Sequence, residues 1–491
     1  MTTEPMTNRE LDAFRDDADR FLAELDEEYY LHLAGHKPDL EIEQIYERHP
    51  ELTKIETAQR LSTGPTELWR FACDGYLGNL TRSHQEKLAD AETALETTVD
   101  GERIPYRMLR VVISNEPDRD RRARLEAERL RLLDEELNPV YLDAARIDRD
   151  AVSQLGAPNY YELHKQFGFR LDDLAEQCTA LLDETEGLWK RSADRLMRER
   201  LGIGLADMRP YDMPRLFRAP EWDKAYPSDR MVPALEATLR DLGIDLASQT
   251  NVHLDLEQRP GKSPRPFCSP IEVPGKVMLV IQPIGGRDDW EALFHEAGHA
   301  EHFAHTSQDL PVEARRLGDN AVTEGWAMLM EHLVSDPAWL NRRLDVSRVE
   351  KLANEGAVSL LYFIRRYSAK LLYEIEFFQA DDPVSMRGRY AELLSEALEF
   401  PANAESYLDD IDGSFYVTQY LRSWAFEAQL REFLRSEFGN EWFASRDAGG
   451  LLRELWSLGQ GPDADELLKD VTGATLEMAA VADRIREGLD I

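Results

Sequence analysis

The stretch DDWEALFHEAGHAEHF, residues 288–303, decides how the rest of this chain of 491 residues is interpreted. It contains His295 and His299, which are four positions apart. In a helix, residues at i and i+4 lie on one face, so these two imidazoles are expected to lie side by side and to share a tetrahedral Zn²⁺ ion. Glu296 follows the first histidine and is placed to take a proton from a metal-bound water. The spacing therefore predicts a helix that carries two metal ligands and a general base.

The residues around this stretch predict that the helix follows a β-hairpin. Two β-branched runs, Ile271–Val273 and Val277–Gln282, flank the turn residues Pro274 and Gly275. After the hairpin, Asp288 has Glu291 three residues later, which is the pattern of a capping box at a helix start. Helical periodicity dominates before and after this region, so the sequence predicts a mainly α fold with a small β-ribbon beside the metal helix.

A catalytic zinc site needs a third protein ligand, and two residues are candidates for it. His305 has the spacing of the metzincin peptidases, but that pattern needs glycine where this chain has His302, because the helix must turn sharply there. Glu324 lies in the first turn of a second predicted helix, which begins near Asp319 or Asn320. A helical hairpin would bring Glu324 to both histidines, so the sequence favours it over His305. Glu331, two turns further along, is either an acceptor for a histidine N–H or a structural residue.

Composition and charge limit the classes of function. The net charge of −36 would repel nucleic acids and anionic membranes. No apolar run reaches the roughly 18 residues that span a bilayer, and the polar N-terminus has no signal-peptide pattern. The three cysteines, Cys73, Cys178 and Cys268, are far apart, which predicts free thiols in a reducing compartment. We therefore expect a cytoplasmic protein with no nucleic-acid or membrane partner.

The chain is longer than one compact core usually allows, so two lobes are expected. The sequence pattern changes near residue 250, from helical periodicity to short β-branched runs between Pro and Gly residues, and this change divides the two lobes. Residues 1–250 are predicted to form a mostly helical N-terminal lobe, and residues 251–491 a catalytic lobe with the zinc site. We expect a monomer or a simple homodimer.

The motif residues resemble those of the gluzincin peptidases, in particular the thimet oligopeptidase and oligoendopeptidase F family, with angiotensin-converting enzyme as a more distant relative. One match is Phe294–Ala300, and a second is Glu324, placed 25 residues after His299. A third is Phe415–Tyr420, which is similar to the tyrosine-bearing segment of that family. The family usually has a histidine shortly before its tyrosines, whereas residues 409–412 of this chain are Asp-Asp-Ile-Asp.

The resemblance implies one continuous peptidase fold, with two helical lobes around a deep channel that admits short peptides. It also implies one Zn²⁺ per chain, held by His295, His299 and Glu324. Glu296 would be the general base. A tyrosine hydroxyl would stabilise the oxyanion, and by the match Tyr420 is the first choice and Tyr416 the second.

The predicted function is therefore a zinc-dependent metallopeptidase that hydrolyses peptide bonds in short oligopeptides. The β-hairpin would pair with the extended substrate by strand addition. One alternative is a zinc carboxypeptidase that removes one or two C-terminal residues, for which the sequence identifies no cation to hold the terminal carboxylate. Another is a non-catalytic peptide-binding relative, and the intact Glu296 argues against it.

Overall fold

Helices make up most of the chain in the computed structural model, which describes residues 4–344 and 346–489. The prediction of a mainly α fold with a small β-ribbon is confirmed. Twenty α-helices lie within the described residues, and they have the following bounds: α1 Asn8–Leu33, α2 Glu43–Arg48, α3 Ile55–Leu61, α4 Thr66–Ala94, α5 Tyr106–Asn115, α6 Arg119–Leu132, α7 Asn138–Val152, α8 Tyr160–Gln166, α9 Leu171–Leu201, α10 Met213–Arg218, α11 Ser228–Asp241, α12 Arg287–His305, α13 Asn320–Glu331, α14 Pro337–Arg343, α15 Val349–Gln379, α16 Arg387–Leu398, α17 Val417–Phe438, α18 Arg446–Trp456, α19 Ala464–Thr472 and α20 Ala479–Gly488. The strands are β1 Glu96–Val99, β2 Glu102–Pro105, β3 Val252–Asp255, β4 Phe267–Glu272 and β5 Lys276–Val280.

The chain forms two compact units, and each unit is built from separate stretches of sequence. The first unit includes Thr53–Ala219 and Val358–Thr418. The second unit comprises Glu4–Leu52, Pro220–Ala357 and Gln419–Ile491. The predicted division into lobes at residue 250 stays a prediction. The two units are defined by contacts between residues, and each contains stretches from both sides of residue 250.

The first unit is helical apart from one short hairpin. Strands β1 and β2 are antiparallel, and the turn between them contains Asp100 and Gly101, both with positive φ (52° and 84°). A turn of this kind matches the right-handed twist of two paired strands. The hairpin contributes to a buried core with α5 and α6, whose members are Val99, Ile104, Leu109, Ile113, Leu125 and Leu132.

The second unit contains a three-stranded sheet in the order β3-β5-β4. The antiparallel pair β4–β5 confirms the predicted hairpin. Strand β3 was not predicted, and it runs parallel to β5 with Val252 opposite Val277. Because β5 is central, β4 is an edge strand, and its register shifts between Ser269 and Glu272.

The predicted metal helix is α12, which follows β5, but its start differs from the prediction. The helix begins at Arg287 after Gly286, whose φ is 93°, and no side chain caps it, so the assignment of Asp288 as the cap is wrong. The carboxylate of Asp289 instead accepts hydrogen bonds from the amides of Ile284 and Gly285, at 2.7 and 2.8 Å. These bonds fix the turn that leads into α12, so glycine flexibility and a neighbouring aspartate replace the capping box.

The N-terminal half of α12 packs through aromatic rings. Trp290, Phe294 and Trp339 are fully buried, and the ring of Trp339 meets those of Phe294 and Trp290 edge-on, at centroid distances of 5.2 and 6.3 Å. Each such ring buries about 150–250 Å² and aromatic pairs add directional attraction, so this cluster anchors the helix rigidly. The histidines in the middle of α12 therefore extend from a well-fixed support.

Candidate metal centre

Helices α12 and α13 form a helical hairpin that brings the three predicted ligands together. One nitrogen of His295, one nitrogen of His299 and one carboxylate oxygen of Glu324 all lie within 4.8 Å of one another. Glu324 Oε2 is 3.5 Å from His295 Nε2 and 3.7 Å from His299 Nε2. This is the one group of at least three potential metal ligands found among the residues that the structure describes.

The two distances from Glu324 to the histidines fit a tetrahedral zinc ion. Zinc bonds to histidine nitrogen and carboxylate oxygen are about 2.0–2.2 Å long, so two ligand atoms at the tetrahedral angle lie about 3.4 Å apart. The observed 3.5 and 3.7 Å need only a small contraction. Two imidazoles and one carboxylate also form a donor set that zinc favours and that leaves its fourth position open.

The outer nitrogen of each histidine has its own partner, and this fixes which nitrogen faces the site. His295 Nδ1 donates a hydrogen bond to Glu331 Oε2 at 2.7 Å. His299 Nδ1 lies 2.9 Å from Thr323 Oγ1, within hydrogen-bonding distance. Such partners hold the ring orientation and leave Nε2 with its lone pair towards the metal position. The sequence left the role of Glu331 open, and the structure decides it, whereas Thr323 was not predicted.

Two glycines allow close packing around α13: Gly298 lets α12 approach α13, and Gly325 lets the ring of Phe426 on α17 approach α13. A Cβ atom placed on Gly298 would lie 2.5 Å from Ala327 Cα and 2.6 Å from the carbonyl oxygen of Trp326. A Cβ atom on Gly325 would lie 2.4 Å from the ring of Phe426. Neither distance is available to a real side chain, so the contact between α12 and α13 requires glycine at position 298.

The start of α13, and with it Glu324, is held by charged and polar contacts within the second unit. Asp319 caps the helix by accepting from the amide of Ala321. The same carboxylate accepts a hydrogen bond from Arg422 Nη1 at 2.9 Å and one from the amide of Ala464 at 2.9 Å. The side-chain oxygen of Gln419 also accepts from the Ala321 amide at 3.2 Å. Because Glu324 lies in the next turn of α13, these contacts fix the position of its side chain, along the helix axis, relative to His295 and His299.

Glu296 lies beside the ligand group and next to strand β4. Its Oε2 accepts a hydrogen bond from the backbone amide of Cys268 at 2.8 Å. Burial raises the pKa of Glu296 to about 7, and the nearby Glu324 carboxylate acts in the same direction, whereas His295 and the Cys268 amide oppose the shift. A carboxylate in these surroundings can hold and return a proton near neutral pH.

The two histidines have different electrostatic surroundings. Burial opposes protonation of His295, but its hydrogen bonds with Glu324 and Glu331 prevail and raise its pKa. For His299, burial is the largest influence and lowers the pKa to about 4. The carboxylates are therefore concentrated around His295, and His299 is the candidate ligand that stays neutral most readily.

The remaining histidines of α12 do not join the group. His305 Nδ1 lies 2.9 Å from the carbonyl oxygen of Glu301, and its ring lies against Trp456 at a centroid distance of 5.4 Å. His302 is fully buried, with its ring near those of Phe303 and Trp326. The geometry favours Glu324 over His305 as the candidate third ligand, because Glu324 belongs to the group that could hold a metal ion and His305 does not.

The two predicted oxyanion tyrosines belong to different units. Tyr420 is half-buried on α17 in the second unit, and its ring lies 6.4 Å from that of Trp424. Its helix packs against α13, since Ser423 Oγ lies 3.1 Å from Met328 Sδ. Tyr416 belongs to the first unit and follows Ser414 and Phe415, which both have positive φ. The catalytic roles of Tyr420 and Tyr416 stay predictions.

Comparison with known proteins gives no match to a protein family or to a curated protein sequence. Within the described residues, none of the helices combines the length and the apolar character that crossing a membrane requires.

Proposed function

We propose that this protein is a zinc-dependent metallopeptidase that hydrolyses peptide bonds in short oligopeptides. The observation that carries the proposal is the convergence of His295, His299 and Glu324 on one point, with Glu296 beside them. Two nitrogens and one oxygen with an open fourth position are the ligand set of catalytic rather than structural zinc. The adjacent, half-buried carboxylate of Glu296 is the group that peptide hydrolysis requires in addition.

The residues of the site have separate tasks in the proposed reaction. A zinc ion bound by the three ligands would polarise the peptide carbonyl and acidify a water molecule. Glu296 would take the proton of the attacking water and later deliver it to the leaving amine. The amide of Cys268 holds Glu296 Oε2 at 2.8 Å, so the carboxylate is oriented before substrate arrives. Glu331 and Thr323 keep the histidine rings in position.

The oxyanion needs a further hydrogen-bond donor, and we assign this role to Tyr420 first and to Tyr416 second. Tyr420 is favoured because its helix packs directly on α13, which carries Glu324. An extended substrate would add to β4, which is the edge of the sheet and touches Glu296 at Cys268.

The proposal includes peptide turnover in the cytoplasm by a monomer or a simple homodimer. The three thiols, Cys73, Cys178 and Cys268, are free, which suits a reducing compartment.

The substitution Glu296→Gln tests the function directly. It keeps the size of the side chain and the acceptor for the Cys268 amide but removes the base. We expect the variant to bind one zinc ion per chain with wild-type affinity, and to lose at least about 100-fold in the hydrolysis of quenched fluorescent peptides. Metal content measured by mass spectrometry accompanies the assay.

Two results would contradict the proposal. Cleavage by Glu296→Gln at the wild-type rate would mean that Glu296 is not the base. Wild-type protein that binds zinc but cleaves no member of a broad peptide library would instead be a peptide-binding or metal-binding protein.

A further inference from the structure

Strand β4 orients Glu296, but β4 itself contains an irregular segment. The Cys268 amide donates to Glu296 Oε2, and Cys268 pairs in regular register with β5. The register shifts between Ser269 and Glu272, and Pro270, which lies in this interval, has no backbone N–H for a neighbouring strand. An irregularity of this kind interrupts the ladder and bends the strand. Pairing with β5 alone therefore does not fix the position of β4 beside α12.

The side chain of Arg316 supplies hydrogen bonds to this irregular segment. Its Nη2 donates to the carbonyl oxygen of Pro270 at 3.0 Å, and its Nη1 donates to that of Ile271 at 3.2 Å. Only 4% of the Arg316 side chain is exposed, so water competes little for these bonds. A guanidinium group is planar and carries its donors at fixed positions. Arg316 therefore holds two successive carbonyl groups of β4 in one place.

Helix α1 binds both Arg316 and the irregular segment through Asp26. Arg316 Nη2 lies 2.5 Å from Asp26 Oδ2, and charge-assisted hydrogen bonds are stronger than neutral ones. Ser269 Oγ donates to the carbonyl oxygen of Asp26 at 3.0 Å. Burial raises the pKa of the Cys268 thiol, and the charges of Glu296 and Asp26 act in the same direction, so both carboxylates lie near this residue. A connected set of contacts thus runs from α1 through Arg316 and β4 to the Glu296 carboxylate.

We propose that Arg316 is a positioning residue for the general base, because it fixes the irregular segment of β4 and thereby the Cys268 amide that orients Glu296. The catalytic consequence rests on the peptidase function proposed above. Pro270 lies two residues after Cys268, or about 7 Å along a strand, so the segment held by Arg316 is joined to the amide through Ser269 alone. Misplacing a reacting group by about 1 Å can lower a rate about 100-fold.

The substitution Arg316→Ala tests the catalytic consequence. It removes both donors to β4, so we expect kcat for quenched fluorescent peptides to fall at least about tenfold while KM stays within about twofold of wild type. Zinc affinity should not change, because the three candidate ligands lie on α12 and α13. The rate is expressed per zinc ion bound, since a variant that only loses folded protein would lose zinc and activity in the same proportion.

Arg315→Ala is the matched control, because Arg315 makes the same kinds of contact beyond the irregular segment. Its Nη2 lies 2.7 Å from Asp19 Oδ2 on α1, and its Nη1 donates to the carbonyl oxygen of Val273 at 2.8 Å. Val273 follows the last residue of β4 and lies five residues after Cys268. This variant loses an ion pair with α1 and a hydrogen bond to the hairpin, yet its kcat and KM should be those of wild type.

The substitution Arg316→Lys separates the charge of Arg316 from its positioning role. It keeps a positive charge beside Asp26, but one ammonium group cannot occupy the two Nη positions that bind Pro270 and Ile271. We expect a Tm closer to wild type than that of Arg316→Ala, with kcat still at least about threefold below wild type. Wild-type kcat in this variant would show that only the charge matters and would overturn the proposal.

Hydrogen exchange tests the positioning step in metal-free protein and without turnover. The Cys268 amide should exchange at least about tenfold faster in Arg316→Ala than in wild type, measured by mass spectrometry with fragmentation to single residues. In Arg315→Ala its exchange should be that of wild type. Unchanged exchange or wild-type kcat in Arg316→Ala would overturn the proposal, as would an equal fall of kcat in both variants. If zinc-loaded wild-type protein cleaves no peptide, the peptidase function is refuted, while the exchange rates still decide whether Arg316 holds the amide.

Discussion

The substitution Gly298→Ala tests whether the close approach of two helices creates the metal site. Gly298 lies between His295 and His299 in sequence, but its Cα faces α13 rather than the metal position. The added methyl group would lie 2.5 Å from Ala327 Cα and 2.6 Å from the Trp326 carbonyl oxygen. Carbon atoms in contact are normally about 3.5–4.0 Å apart, so the helices must separate by about 1 Å.

The expected loss of stability follows from two opposing contributions. Forcing an extra methyl group into a packed core costs about 1–3 kcal/mol, and the upper end applies here because the neighbouring atoms are backbone and cannot rotate away. Alanine is better than glycine inside a helix by about 1 kcal/mol. The net destabilisation is therefore about 2 kcal/mol, which lowers the Tm of a unit of this size by roughly 4 °C.

The effect on metal binding should be larger than the effect on stability. Zinc sites tolerate ligand displacements of only about 0.2 Å. A separation of about 1 Å would move Glu324 on α13 away from both histidines on α12. We expect zinc affinity to fall by more than the roughly 10–100-fold that the loss of a supporting hydrogen bond causes. Competition with a chromophoric chelator measures the affinity, and thermal unfolding in excess chelator measures the stability of the metal-free protein.

Gly450→Ala is the control for this experiment. Gly450 lies inside helix α18 of the same unit, and a Cβ atom there would meet no atom within 4 Å. The substitution should raise stability by up to about 1 kcal/mol and leave zinc affinity unchanged. If Gly298→Ala binds zinc as tightly as wild type, the contact between α12 and α13 does not position Glu324 against the histidines.

Two further predictions concern groups that support the site and the fold. Glu331→Gln weakens the hydrogen bond that orients His295. It should lower zinc affinity about 10–100-fold, as measured by the same chelator competition, without changing the number of zinc ions bound per chain. Unchanged affinity would show that Glu331 does not orient His295. Glu427 is fully buried between His332 and Arg484. Burial acts to raise its pKa, but its contacts with Arg484, His332 and Arg431 prevail and lower the pKa to about 2. Because this pKa lies below the unfolded value of about 4.5, the stability from the ionised group is present above pH 4.5 and is lost as the pH falls towards 2. Glu427→Gln should therefore cost about 3–5 kcal/mol at neutral pH and flatten the decline of Tm between pH 4.5 and 3, and an unchanged acid profile would contradict this reasoning.

The local pattern of the sequence was sufficient for the elements that carry the ligands. The periodicity around His295 and His299 predicted α12, and the turn residues Pro274 and Gly275 predicted the hairpin β4–β5. Asp319 was correctly placed at the start of α13. Each of these features depends on interactions within a few residues, which a single sequence displays directly. The hairpin at Asp100 and Gly101 had the same kind of signal, a turn dipeptide between two strand-like runs, and was missed although it was readable.

The start of α12 shows where a local pattern fails. Asp288 and Glu291 match a capping box, yet the helix starts after Gly286. The incoming chain from β5 presents the amides of Ile284 and Gly285, and Asp289 binds them. A capping motif competes with contacts of this kind. The path of the preceding chain decides at which residue the helix begins, and the motif does not encode that path.

The sequence by itself identified His295 and His299 as candidate metal ligands and Glu296 as the candidate base, because those proposals follow from residue types at helical spacing. Only the tertiary structure decided how they are held. Thr323 beside His299, the amide of Cys268 on Glu296, and the hydrogen bond from Arg316 to the carbonyl oxygen of Pro270 all join residues that are 24 to 46 positions apart. The reason is physical: hydrogen bonds between distant segments depend on the approach of packed elements to within a few tenths of an ångström, and no periodicity in a sequence records that distance.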